Sequence, residues 1–162
     1  MKKLLLLTLI TGLAFTACKK DDDQALPNQT GSKYTADELA LTNGTQKVWK
    51  LIGIHVKGIT EDGQTVDADA DMQDCVLDNR FIFNINRNVT SLGGDEKCDP
   101  NEESEIIQTW NFVTDSTFEW GGDTIALASL KENELKVSFE TIITGGTLGN
   151  IDATLTNTYV PE

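Results

Sequence analysis

The sequence predicts an all-β domain: an antiparallel up-and-down barrel of about eight strands with a short N-terminal helix, or alternatively a β-sandwich. Three observations carry this. Apolar residues recur at every second position in run after run. The connections between runs are short and rich in Gly, Asn and Asp. The runs also follow one another without a long helical crossover, as consecutive hairpins require.

The helix comes first. Thr35-Ala36-Asp37-Glu38 has the S/T-x-x-E form of a capping box, with an apolar stretch behind it and Gly44 as the stop. Residues 47–57 alternate at Trp49 and Leu51, then at Ile54 and Val56; the phase slips at Gly53, where a bulge would restore the inward face. Residues 80–87 align Phe81, Phe83 and Ile85, and a turn around Asn86-Arg87-Asn88 returns the chain over residues 88–93. Residues 106–113 align Ile106, Trp110 and Phe112, and residues 116–120 align Phe118 and Trp120. Three more runs follow at 124–130 (Ile125, Leu127), 134–140 (Leu135, Val137, Phe139) and 151–160 (Ile151, Ala153, Leu155, Tyr159).

Ahead of the domain lies an address. Lys2 and Lys3 precede an apolar run too short to span a bilayer, which takes ~20 residues, and the pattern is that of a secretory signal over residues 1–17. Phe15-Thr16-Ala17-Cys18 resembles the lipobox of bacterial lipoproteins; the alternative is a plain signal peptide with a chance cysteine. The resemblance implies that Cys18 is acylated and anchors the chain to a membrane. Lys19, Lys20, Asp21, Asp22 and Asp23 resemble the export signal of surface lipoproteins in some Gram-negative lineages, which implies an outer-membrane protein facing the cell exterior. Residues 18–34, with Pro27, Gly31 and Ser32, read as an acidic flexible tether, and residues 35–162 as the barrel domain.

Charge and cysteine count narrow the chemistry. Without Lys2 and Lys3 the chain has 11 basic against 26 acidic residues, a net charge of −15 that disfavours nucleic acid and anionic headgroups. With Cys18 given to lipid, Cys75 and Cys98 remain, and an even remainder in an oxidising compartment argues for one disulfide. A metal pair lacks partners, since His55 is the single histidine and no CxxC occurs. By strand phase His55 points outward beside Lys57, without a nucleophile to serve, so no enzyme is expected and no cofactor. Asp67, Asp69 and Asp71, with Asp78 further on, have the spacing of an EF-hand loop. Met72 occupies the place of the turning glycine, so a solvated acidic loop is the first reading and calcium the second. Sequons at Asn28, Asn43 and Asn88 read as chance, and Asp115-Ser116-Thr117 and Asp123-Thr124-Ile125 only weakly resemble a bacterial O-glycosylation motif.

The entry helix, residues 46–51 with Trp49 in the first strand, the stretches at 74–84 and 96–100, Gln108 to Phe112 and the closing Leu155 to Val160 together resemble the lipocalin-like domain of small bacterial lipoproteins. The resemblance implies a barrel over roughly residues 35–160, more firmly than it implies an activity. Trp49, Phe81, Phe83, Gln108, Trp110, Phe112, Leu127, Phe139 and Tyr159 are the candidates to line a cavity for a small apolar or amphipathic ligand. Phe118 and Trp120 share the face, as do the polar Ser129 and Asn157, which a filled core would avoid. The competing expectation is a filled core and a non-enzymatic structural or interaction protein of the envelope.

Overall fold

Period-two patterning becomes a closed antiparallel barrel in a computed structural model, which describes residues 33–144 and 149–162. In chain order the elements are α1 (Ala36–Thr42), β1 (Gln46–Thr60), β2 (Thr65–Asp69), α2 (Asp74–Leu77), β3 (Arg80–Asn84) and β4 (Asn88–Leu92). They continue with β5 (Glu105–Thr114), β6 (Thr117–Trp120), β7 (Asp123–Lys131), β8 (Glu134–Ile143) and β9 (Ile151–Pro161). Strands pair as β2-β1-β3-β4-β5-β6-β7-β8-β9, and β1 also pairs with β9. That last pairing closes β1 and β3 to β9 into a ring of eight, which selects the barrel over the sandwich. β2 stands outside the ring.

The length of β1 explains the extra strand. Gln46–Lys50 pair with β3, while His55–Ile59 pair with β2, and β9 runs along the other edge of β1. The register against β9 shifts between Leu51 and Gly53, next to the predicted slip, so Ile52 bulges out and is 50% exposed. Trp49 and Leu51 before the bulge and Ile54 after it all reach the core. A second bulge overturns one expectation. On β7 the register shifts between Leu127 and Ser129, which sets Ser129 opposite Lys136 and gives the inward place to Leu130, opposite Leu135. Ser129 therefore does not share the apolar face, because strict alternation does not survive an inserted residue.

Helix α1 seals one end of the barrel. Its capping box forms as the sequence predicts: Thr35 Oγ1 accepts from the Glu38 amide, and Glu38 Oε2 accepts from the Thr35 amide at 2.7 Å. Asn43 turns left-handed at φ 51° and Gly44 follows at φ 76°, which ends the helix. Leu41 is fully buried among Trp49, Phe83, Val89, Trp110, Phe118 and Leu135. Polar contacts fix it there. Trp49 Nε1 donates to the Leu41 carbonyl at 2.9 Å, and Lys47 Nζ donates to the carbonyls of Ala40 and Glu132 while lying 4.4 Å from the Trp49 ring centre. Burial lowers the pKa of Lys47 below the usual lysine value. Arg87 pairs with the buried Glu38 and lies over the Trp110 ring at 4.7 Å.

At the other end a disulfide organises the loops. Cys75 in α2 is bonded to Cys98 with their Cα atoms 5.4 Å apart. The β3–β4 hairpin explains the approach, since its ladder ends at Arg80 opposite Leu92 and the cysteines lie beyond those ends. The loop following β4 is also tied by the Glu96 amide to Asp78 Oδ2 (3.0 Å) and by the Gly94 amide to Asn79 Oδ1 (3.2 Å). A side chain at Gly94 would collide with the Asp78 carboxylate, so only glycine fits.

Candidate functional site

Three rings mark the level at which the filled core stops. Phe81 on β3 meets Trp120 on β6 and Tyr159 on β9 edge-on, each at 5.3 Å between centres, and Trp120 lies 5.9 Å from Tyr159. Below them, towards α1, Phe83, Trp110 and Phe118 are fully buried. Above them the rings give way to Ile125, Val137, Phe139 and Asn157, and a cavity of about 890 Å³ opens. Its wall is built from β5 to β9 together with Phe81, and it also holds Gln108, Asp123, Thr124, Ala126, Ser138, Glu140 and Thr154. That volume lies within the ~300–1,000 Å³ range of small-molecule sites.

Hydrogen bonds set the polarity of this cup. Trp120 Nε1 donates to Gln108 Oε1 at 3.1 Å, which spends the indole donor within the protein. Gly121 in the β6–β7 turn makes that possible: its φ is +65°, and a Cβ there would fall 2.3 Å from Gln108 Nε2. Asn157 Nδ2 donates to the Tyr159 hydroxyl at 3.2 Å, while Asn157 Oδ1 is covered and has no hydrogen-bond partner. Burial pushes the Tyr159 phenol up to about 12, so it is neutral at ordinary pH. No lysine, arginine or histidine belongs to the lining, whereas Asp123 and Glu140 do.

The predicted cavity residues divide. Phe81, Gln108, Phe139 and Tyr159 line the cup, together with Trp120 and Asn157 from the same sequence faces. Trp49, Phe83 and Trp110 do not, being at most 1% exposed in the core beside α1. Phe112 and Leu127 pack against that core and are likewise outside the lining. All have the right inward phase, but phase gives the face and not the height along the barrel axis. Asp123, Thr124, Ile125, Ala126, Val137, Ser138, Glu140 and Thr154 are the lining residues that the sequence did not point to. Asp123 follows a Gly-Gly turn and reads as a polar connection, although its pairing with Trp120 is the signal that places it.

The EF-hand spacing is not realised as a loop. Asp67 and Asp69 belong to β2, where alternation puts both on one face against His55. His55 Nε2 is 3.0 Å from Asp67 and Nδ1 is 2.9 Å from Asp69. The Asp69 hydrogen bond is the chief cause that raises the His55 pKa, with Asp67 adding to it. Asp71 is exposed in the segment before α2, and Asp78 ends α2 with Oδ2 committed to the Glu96 amide and Oδ1 covered without a partner. Of the sugar motifs, Asn43 caps α1, Asn88 starts β4 and Thr124 lies in the cup lining. Cys18, the Lys19 to Asp23 segment and Asn28 lie outside the described residues. No family model matches this chain, no curated protein is similar to it, and no solved structure matches it.

Proposed function

We propose that this chain is a lipid-anchored, non-enzymatic binding protein of the bacterial outer membrane, facing the cell exterior, whose barrel captures a small apolar or amphipathic ligand. The observation that carries the binding half is the cup: a cavity of about 890 Å³ above a floor of three rings, rimmed by amide, hydroxyl and carboxylate groups. A scaffold needs no such hollow. Capture rather than catalysis is supported by the position of the single histidine on β1, against β2 and outside the lining. The anchor half rests on Lys2, Lys3, the apolar run and Cys18.

Native mass spectrometry of protein taken from its own envelope tests the first half. The wild type should have a bound small molecule, and Ile125→Trp, which sets a bulky ring in the cup wall, should reduce its occupancy. No bound mass on the wild type, or the same bound mass at the same occupancy on both proteins, would refute the reading. For the second half, Cys18→Ala should move the protein out of the membrane fraction; retention there would exclude an acyl anchor on that thiol.

A further inference from the structure

We infer that the cup selects an organic cation, an amine or quaternary ammonium on a compact apolar body; this rests on the cup being a binding site. The lining combines four aromatic residues, Phe81, Trp120, Phe139 and Tyr159, with the inward carboxylate Asp123, adds Glu140 from the outward face of β8 on its open side, and holds no basic side chain. A ring face is the negative pole of its quadrupole and attracts a cation within ~6 Å of its centre. The floor rings touch one another at 5.3–5.9 Å, so nothing fits between them and a guest rests on their upper surface.

The donors in the same place are neutral, with no ammonium or guanidinium among them. The indole N–H of Trp120 is committed to Gln108, and the Asn157 amide N–H to Tyr159. The Tyr159 phenol is neutral, so the floor has no charge of its own. Asp123 pairs with Trp120 in the β6–β7 ladder, and this sets a carboxylate beside the floor ring. A fatty acid or phosphate ester would bring its anion towards Asp123 and Glu140 with no counter-charge in the lining, and like charges repel. A cation meets rings and carboxylates together, within a chain whose net charge is −13.

Isothermal titration of the full-length protein with octyltrimethylammonium, octan-1-ol and octanoate tests this, because the three probes share one tail. The cation should bind about tenfold tighter than the alcohol, and octanoate weakest. In Asp123→Asn/Glu140→Gln the ratio of cation to alcohol affinity should fall several-fold. Equal binding of cation and alcohol, tightest binding of octanoate, or an unchanged ratio in the double variant would each overturn the cation assignment and leave the cup standing. If none of the three binds, both readings fall.

Discussion

Asn157→Leu/Tyr159→Phe should make this protein more stable. Asn157 has one end of its amide, Oδ1, covered and without a partner, while Nδ2 donates to Tyr159. Turning the amide end for end would only exchange an orphan acceptor for an orphan donor. A covered polar group without a partner costs ~1–3 kcal/mol, and the surviving neutral hydrogen bond contributes ~0.5–1.5 kcal/mol. Leucine at 157 with phenylalanine at 159 removes the orphan oxygen together with both partners of that hydrogen bond, so no hydroxyl is left unpaired and the balance favours the double variant by ~1 kcal/mol. For a domain of this size that is about 4 °C in Tm. Thermal unfolding followed by circular dichroism gives the sign directly. Asn157→Asp is the control: it keeps the shape, places a carboxylate beside a buried phenol, and should lower Tm. A lower Tm for the double variant would show that both ends of the amide are satisfied in solution, and the argument from the orphan oxygen would fail.

Gly121→Ala should displace Gln108 and free the Trp120 indole, which would change tryptophan emission and near-ultraviolet dichroism; an unchanged spectrum would mean that the close approach is not required. Reduction of Cys75–Cys98 should cost roughly 3 kcal/mol, and amide exchange should rise first in residues 93–104; uniform loosening of the barrel would contradict the local role. The His55 pKa is raised in the folded protein, so its contribution is present below the ordinary histidine value and is lost as pH rises through the elevated one. Protection of the Val66 and Ala68 amides, measured against intrinsic exchange, should therefore fall across that interval, and His55→Gln should remove that fall.

Legibility followed burial. β8 was readable because Leu135 and Val137 are buried on one face while the residues between them are less so, and β9 repeats the pattern at Ile151, Ala153 and Tyr159. β2 was not, because it buries neither face: Asp67 and Asp69 point one way, Val66 and Ala68 the other, and one edge only is paired. Its five residues look like an acidic loop until β1 supplies the partner. The capping box at Thr35 and the pairing of Cys75 with Cys98 are local or combinatorial signals, and the structure has both. The cup was only half legible. Phe81 and Phe83 are two positions apart on one strand with identical phase, yet one floors a cavity and the other is sealed beneath it. The difference is set by bulges at Ile52 and Ala128 and by a helix inserted from one end, which no strand pattern records.

Closing a sheet gives each strand two neighbours, but β2 reopens the question, since among the described strands it alone has one neighbour, β1, and its other edge is free along its whole length. An unpaired edge is a template for another chain. If two copies met antiparallel along β2, the carboxylates of Asp67 and Asp69 on one would stand against the same pair on the other, and like charges across a ladder destabilise it. When protonated, His55 offsets part of that charge from within, which leaves the net repulsion smaller than two bare aspartates would give. The two residues that a calcium loop would have used as ligands thus act as a guard against self-association, one that protonation in acid would remove and that asparagine at both positions would abolish.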